Sequence, residues 1–387
     1  MPQRQETLWT KAFLLITAVN ALAFFGFNMS TTGFPAYLAL LNADEVMIGI
    51  STSFAATASL TTRPIAGHLI YKYSHKRICF LGFALMAVPC VVTPVLSDNK
   101  LVLMMRFLQG VGWGLSSTCC SSMIAHVSPH SRLSEGIGYT GAVSSIATAF
   151  ASASAISLLM DFGAVAMVLS IGTAIVIAAF LLSVLPFAEM CLNKSHNVKL
   201  YKSLVDKNAL FPAILIFFIT FSYSPIVTFV VRYAELNGFV NVGLFFLCYA
   251  IATVISRPIT GVLVDKYGCN IPAGISILFA FLSLILLFVA CSSITFYLAA
   301  VLSGISTGVG MNALQTMALR QSPPKIRTVT MSTFLFGFDM GMAFGSAVAG
   351  VLIKSCEHRT MYGIVSLVPL VGLLFFVVAK LLKRKRM

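Results

Sequence analysis

Twelve long apolar runs, separated by short polar loops, constrain this chain more than any other feature of its sequence. Each run has roughly 20 residues or more, the length at which an α-helix crosses the hydrocarbon core of a bilayer. With 58% hydrophobic and only 10% charged residues, the chain has too few polar side chains to surround a soluble core. The runs predict an all-α integral membrane protein with spans at residues 12–38, 46–71, 78–96, 101–127, 137–160, 163–185, 209–231, 240–264, 271–290, 294–319, 329–353 and 360–382.

The positive charges fall mainly on one side of these spans. With the N terminus inside, and with Lys380 at the end of the last span counted as cytoplasmic, 19 of the 26 Lys and Arg residues lie on the cytoplasmic side, 4 on the outer side and 3 within spans. The positive-inside rule therefore predicts a multi-pass protein of the inner (cytoplasmic) membrane with both termini cytoplasmic. The net charge of +14 is then explained by anionic lipid headgroups, and no nucleic-acid partner is expected.

Two local features leave alternatives open. The apolar stretch that ends at Ala23 has some features of a cleaved signal peptide, but the run continues through Phe27, and its loss would invert every later loop. We therefore expect the first span to be retained. Among the nine cysteines, Cys291 and Cys356 both fall at the outer surface, where a disulfide is possible. No cysteine has metal-ligand spacing, so neither a metal nor a cofactor is predicted.

An internal repeat divides the chain into two similar halves. Residues 63–73 read RPIAGHLIYKY and residues 257–267 read RPITGVLVDKY, with seven of eleven positions identical at an offset of 194 residues. The same offset aligns Gly110 with Gly304 and Gly114 with Gly308. Each half holds six spans, an even number, so the halves run parallel and are related by an axis along the membrane normal. We expect an N-terminal bundle at 1–186, a cytoplasmic linker at 187–208 and a C-terminal bundle with a basic tail at 209–387.

Short signatures in the loops and in the fourth span carry a family resemblance. The loop after the second span approximates G-x-L-x-D-x-x-G-x-K/R, although Tyr71 replaces the acid, and the loop after the eighth span keeps Asp265. In the fourth span, Arg106, Gln109 and Gly110 resemble the R-x-x-Q-G signature of proton-coupled drug antiporters. Over essentially its whole length the chain resembles the major facilitator superfamily, and among its members the bacterial drug and sugar efflux permeases. The resemblance implies a fold of two pseudo-symmetric six-helix bundles and transport by alternating access.

Ionisable residues deep in the spans are candidates for proton coupling, because a charge at the bilayer centre costs a few kcal/mol or more. Asp339 is the one acid deep in a predicted span, and Arg63 lies at similar depth. In the resembled fold their spans are neighbours across the interface between the halves, which predicts an Arg63–Asp339 pair that breaks when Asp339 takes a proton. A static ion pair is the alternative. Arg106 is predicted to attract an anionic group or tune a proton site, or else to extend to the outer interface.

Substrate contacts are expected near the midplane, where helices of the two halves face each other. Polar and aromatic residues at that depth are the candidates, although such residues also join helices to one another. They are Asn28, Gln109, Trp113, Ser222, Tyr223, Asn312 and Gln315. At the cytoplasmic ends, Asp265 is predicted to hold the start of the fifth span near Arg132 as a conformational latch, with Gly67 and Gly261 permitting close helix contact.

The function that these features favour is secondary active transport, with a proton-coupled exporter of a small organic molecule as the first hypothesis. An uptake symporter and a facilitative uniporter remain alternatives, since direction cannot be deduced from these residues. A membrane-integral enzyme or receptor is a remote alternative, because HExxH and phosphate-loop motifs are missing from the sequence and the outer loops are short. We expect a monomer that uses protons as its coupling ion.

Overall fold

The computed structural model describes residues 7–41, 45–93, 96, 98–187, 205–239, 241–323, 326–353 and 355–384. Except at its two ends, the predicted linker at 187–208 lies outside these ranges, as does the end of the basic tail.

Helices make up almost all of the described chain. The elements are α1 (Lys11–Leu40), α2 (Glu45–Lys72), α3 (His75–Val92), α4 (Asn99–Val127), α5 and α6 (the parts of Leu133–Val184 before and after Gly163), α7 (Leu210–Asn237), α8 (Val242–Tyr267), α9 (Asn270–Val289), α10 (Ser293–Gln321), α11 (Arg327–Ile353) and α12 (the segments His358–Val365 and Leu367–Arg384). They correspond one to one with the twelve predicted spans.

Helix ends follow local chemistry. Ser74 caps α3 by accepting the amide of Arg77 at 3.3 Å, and Asp98 caps α4 by accepting the amide of Lys100 at 2.9 Å. Gly163 separates α5 from α6 because its φ of 81° belongs to a backbone region that L side chains rarely adopt.

Eight of the helices are long and apolar enough to cross a membrane by their described residues alone, namely α1 and α6 to α12. Many large apolar side chains on these helices face outward, such as Phe180, Leu247 and Val351. Such an exterior suits a lipid environment, in which apolar side chains need no polar cover.

The helices pack as two six-helix bundles. In the first bundle, α1 packs on α5 and α6, and α4 packs on α2 and α3; in the second, α7 packs on α11, and α10 packs on α8 and α9. The main contacts between the bundles are α2 with α11 and α5 with α8. These two pairings are equivalent under the repeat, so the fold has the predicted pseudo-symmetry.

Glycines of the repeat make equivalent contacts in the two bundles. A Cβ placed on Gly110 of α4 would lie 2.2 Å from the carbonyl oxygen of Ala55 in α2, and a Cβ on Gly304 of α10 would lie 2.4 Å from that of Tyr249 in α8. Ala55 and Tyr249 are themselves separated by the offset of 194 residues. The same close helix–helix approach, which only glycine permits, therefore occurs twice.

The two ends of the molecule differ in charge. One end, called the basic face here, is where α2, α4, α8 and α10 finish and where α3, α5, α9 and α11 begin. Its charged residues include Lys72, Lys76, Arg77, Arg132, Lys266, Arg320 and Arg327. Side-chain hydrogen bonds also join the two bundles. Among the described residues, these bonds lie at the basic face or no further from it than the middle of the helices.

Candidate functional site

An ion pair joins the two bundles near the middle of α2 and α11. Arg63 donates from Nε to Oδ2 of Asp339 and from Nη2 to Oδ1 at 3.3 Å, while its Nη1 donates to Ser117 Oγ at 3.0 Å. Ser59 Oγ donates to Asp339 Oδ2 at 3.1 Å. The side chain of Arg63 is 3% exposed and that of Asp339 is 13% exposed. One guanidinium thus neutralises the carboxylate through two parallel contacts. Asp339 lies about 18 Å along the axis of α11 from its first residue.

Small residues let the helices of the interface approach closely between this ion pair and the basic face. A Cβ on Gly67 would lie 3.1 Å from the Cβ of Ser332, whose hydroxyl donates to the carbonyl oxygen of Arg63. At the equivalent position of the repeat, a Cβ on Gly261 would lie 2.7 Å from the carbonyl oxygen of Ser134. Both glycines therefore lie where α2 meets α11 and where α8 meets α5, at the basic end of each contact.

Asp265 lies at the end of α8 and contacts the start of α5. Its carboxylate accepts the backbone amides of Ser134 at 3.1 Å and Glu135 at 2.9 Å, which are free donors at a helix N terminus. Its cationic partner is Arg320 of α10 at 2.5 Å. Arg132 instead pairs with Glu135, at 2.6 Å. Sequence reasoning named the right helix start for this carboxylate but did not identify Arg320, which lies 55 residues away in the chain.

Arg106 and Gln109 form a polar pair inside the first bundle. Arg106 is 0% exposed and donates from Nη1 to Gln109 Oε1 at 2.6 Å and to Ser30 Oγ at 3.1 Å. Its guanidinium also lies 5.3 Å from the ring centre of Phe34. The side chain is therefore enclosed by α1 and α4 and does not extend to the membrane interface. Its Nε and Nη2 atoms are buried without a hydrogen-bond partner.

An aromatic cluster surrounds Trp113 of α4. Its ring stacks on Phe27 of α1 with centroids 4.3 Å apart and makes an edge contact with Phe24 at 4.8 Å. Asn28, one residue further along α1, donates to the carbonyl oxygen of Phe24 at 2.9 Å. These α1 and α4 residues place a flat aromatic surface beside a half-buried amide.

Tyrosines form an aromatic cluster in the second bundle. The ring of Tyr223 in α7 stacks on Tyr249 of α8 at 5.1 Å, and the Tyr249 hydroxyl is 3.0 Å from Thr307 Oγ1 of α10. Thr307 is the repeat equivalent of Trp113, so each cluster contacts this repeat position, although the stacked rings themselves are not repeat equivalents. Ser222 points elsewhere, since it is buried and donates to the carbonyl oxygen of Phe218 at 2.8 Å.

Two further predicted contact residues lie between helices and are buried. Asn312 of α10 donates to the carbonyl oxygen of Arg257 at 2.7 Å and accepts from Ser134 Oγ at 2.8 Å, so it links α10, α8 and α5. Gln315, one turn further along, contacts the sulfur of Met331 in α11 at 3.4 Å. In this conformation both amides contact protein groups.

A histidine that the sequence did not single out also joins the bundles. The Nε2 atom of His75 at the start of α3 is 3.0 Å from both Ser122 Oγ of α4 and Thr328 Oγ1 of α11. Burial, together with the neighbouring His126, lowers the pKa of His75 to about 3. The neutral ring thus belongs to the polar contacts that close the basic face. In the sequence, His75 is one polar residue among several next to a loop, and nothing there indicates that it contacts the other bundle.

Two other features lie outside these contacts. An apolar cavity of about 300 Å³ is lined by residues of α2, α7 and α11, such as Pro64, Phe217 and Met340, and contains almost no polar surface. It lies on the side of the interface and lacks the polar groups that orient a solute. Cys291 and Cys356 are free thiols and do not form the disulfide that the sequence left possible.

Comparison with known proteins agrees with this architecture. The family model described as the Major Facilitator Superfamily matches residues 16–269 and 213–386. Similar solved structures include the fucose:proton symporter FucP of E. coli, with TM-score 0.77, 15% identity and coverage of 96% of this chain and 99% of that one. The human organic anion transporter MFSD10 matches with TM-score 0.78 and 13% identity over 94% and 98% of the two chains.

A third similar structure is a bacterial homologue of the iron transporter ferroportin in its outward-facing state, with TM-score 0.77, 14% identity and coverage of 95% and 99%. At these identities the solved structures establish the fold alone. The family match spans nearly the whole sequence and places the protein among transporters and not among membrane enzymes. The chain therefore belongs to the Major Facilitator Superfamily.

Proposed function

We propose that this protein is a proton-coupled exporter of a small organic molecule. The observation that carries the proposal is the Arg63–Asp339 pair, which joins the two bundles through a carboxylate in the middle of a membrane-spanning helix. A carboxylate in this position is a group able to take up a proton and, by doing so, to lose its attraction to the arginine. Proton uptake is thereby linked to separation of the bundles.

The contacts of the basic face support a direction for the proposed conformational cycle. With the basic face cytoplasmic, as the positive-inside rule predicts, the interface is closed toward the cytoplasm in this conformation. The side chain of Asp339 is 13% exposed, and because the basic face is closed we infer that its carboxylate is reached from the opposite side. A proton that enters from outside then weakens the pair and favours opening toward the cytoplasm, where substrate binds and the proton leaves.

The aromatic clusters around Trp113 and the Tyr223–Tyr249 stack provide surface for an organic solute. One cluster lies in each bundle, on α1 and α4 in the first and on α7 and α8 in the second. Flat rings of this kind bind apolar bodies, whereas neighbouring amides and hydroxyls fix orientation. We infer that substrate lies between these clusters when the two bundles face each other around it.

Asp339→Asn tests the coupling. The purified protein is reconstituted in liposomes that contain a pH-sensitive dye, and a panel of organic solutes is added with and without an imposed pH gradient. Wild type should exchange protons for at least one solute, whereas Asp339→Asn should lose gradient-driven transport and retain solute counterflow. Asp161→Asn makes the same chemical change at an exposed site outside the interface and should behave as wild type.

Two outcomes contradict the proposal. Normal gradient-driven transport by Asp339→Asn would show that this carboxylate does not couple protons to transport. If the assay shows solute and protons moving in the same direction, the protein is an uptake symporter and not an exporter.

A further inference from the structure

The two bundles differ at the position where the ion pair forms. Arg63 and Arg257 are equivalent under the 194-residue repeat, but the residue equivalent to Asp339 is Ser145 in α5. Ser145 Oγ donates within its own helix to the carbonyl oxygen of Gly141 at 3.0 Å. The repeat therefore contains two arginines in matching places and only one carboxylate.

The guanidinium of Arg257 is held in a way that leaves one edge free. Its Nη1 donates to the carbonyl oxygen of Gly141 at 2.6 Å, just as Nη1 of Arg63 donates to Ser117. In Arg63, Nε and Nη2 form the two-donor edge that binds Asp339. In Arg257, Nε is buried without a partner, and no acceptor among the described residues contacts Nη2.

Packing fixes this arginine in position. A Cβ on Gly141 would lie 2.6 Å from Nη1 and 3.0 Å from Cδ of Arg257, so the guanidinium lies directly against α5. The carbonyl oxygen of Arg257 accepts from Asn312, which holds the backbone of α8 at this level. The phenols of Tyr223 and Tyr249 lie within electrostatic reach of the guanidinium. The guanidinium of Arg257 is therefore near the Tyr223–Tyr249 stack of the second bundle.

A charge in such a place is costly without a counter-ion. Removing an arginine from water costs several kcal/mol unless an anion and hydrogen-bond acceptors replace the water. The planar two-donor edge matches the two oxygens of a carboxylate better than it matches a single-atom anion. The empty edge of Arg257 has the same donors as the edge that holds Asp339.

We propose that Arg257 binds a carboxylate of the transported molecule, which takes the place that Asp339 occupies in the other bundle. The substrate class is then an organic anion with an apolar or aromatic body, which suits the adjacent Tyr223–Tyr249 stack. This inference rests on the proposed transport function and adds the substrate class to it.

Ligand binding provides the direct test. Thermal shifts of the purified protein are measured at constant chloride with carboxylates and their neutral amides: acetate and acetamide, succinate and succinamide, benzoate and benzamide, salicylate and salicylamide. At least one carboxylate should bind about tenfold more tightly than its amide, since a charged two-donor contact is lost in the amide. Arg257→Gln should abolish this preference, whereas Lys100→Gln, which removes a charge at an exposed site, should retain it.

Ser145→Asp tests the geometry without any ligand. The new carboxylate should occupy the free edge of Arg257, raise the apparent melting temperature by about 2–4 °C and weaken binding of the carboxylate probes. In the Arg257→Gln background the same substitution should lower the melting temperature, because the carboxylate is then unpaired. A rise in the melting temperature with Arg257 present and a fall without it would show that the new carboxylate pairs with Arg257. A general effect of the added charge would be the same in both backgrounds.

The outcomes distinguish this inference from the proposed function. Equal binding of all carboxylates and amides, or a carboxylate preference that persists in Arg257→Gln, overturns the role of Arg257 and leaves the coupling role of Asp339 intact. Conversely, Asp339→Asn should lose proton coupling and retain the carboxylate preference. Loss of that preference in Asp339→Asn but not in Arg257→Gln would assign the anion site to the first arginine pair instead.

Discussion

Replacing Arg63 by glutamine removes one charge of the pair that joins α2 and α11. Asp339 keeps Ser59 as a donor but loses both guanidinium contacts. Removing one partner of a buried pair costs about 3–5 kcal/mol, and the partial exposure of Asp339 favours the lower end of this range. A loss of about 3 kcal/mol from the conformation closed at the basic face changes its equilibrium by about 100-fold.

Lys72 and Lys266 offer a symmetric pair of positions for measuring this change. They are exposed, lie at the basic ends of α2 and α8, and are separated by the repeat offset. Spin labels on Lys72→Cys and Lys266→Cys, in a variant whose native cysteines are replaced by alanine, report the distance between the bundles. At pH 7.5, Arg63→Gln should shift the distance distribution toward longer distances, and Asp339→Asn should shift it in the same direction.

The double variant Arg63→Gln/Asp339→Asn provides the internal comparison. Its shift should be smaller than the sum of the single shifts, because two neutral side chains leave no unpaired charge. Arg77→Gln removes an exposed charge of the same face and should leave the distances unchanged. Distances in Arg63→Gln that match wild type would refute the view that this pair stabilises the closed face.

Three other predictions address the neighbouring contacts. Gly261→Ala should weaken transport more than Gly67→Ala, since its Cβ would meet a backbone oxygen at 2.7 Å whereas that of Gly67 would meet a Cβ at 3.1 Å; equal rates in liposomes would contradict this. Because burial lowers the pKa of His75 from 6.5 to about 3, the folded state binds fewer protons than the unfolded state between these pH values; protonation of this ring therefore costs the fold little well above pH 6.5 and about 2 kcal/mol by pH 5. The melting temperature of His75→Gln should therefore fall less between pH 7 and pH 5 than that of wild type, and an equal fall would exclude this histidine as the cause. Arg106→Lys should slow transport and leave the protein folded, because lysine is a point charge that lacks the planar guanidinium, whose Nε and Nη2 have no hydrogen-bond partner among the described residues; wild-type rates would reduce Arg106 to a structural role.

The sequence by itself determined the helices, their number and which helices of the two halves correspond. Apolar runs longer than a bilayer is thick have one stable backbone solution, so the twelve spans were predictable from composition and length. The offset of 194 residues then fixed which helices correspond, and the contacts of Gly110 and Gly304 follow it. The scarcity of charges within spans made Arg63 and Asp339 candidates, and the resemblance to the major facilitator superfamily placed their spans side by side.

Only the tertiary structure decided which polar groups meet. Arg320 pairs with Asp265, and Gln109 faces Arg106, because helix rotation and side-chain rotamers depend on packing across many residues. The free edge of Arg257 is a further case: the repeat shows Ser145 in place of an acid, but the Nη1 contact with Gly141 shows which donors remain. Local sequence specifies what each side chain is able to bind, whereas the packing of the two bundles selects its partner.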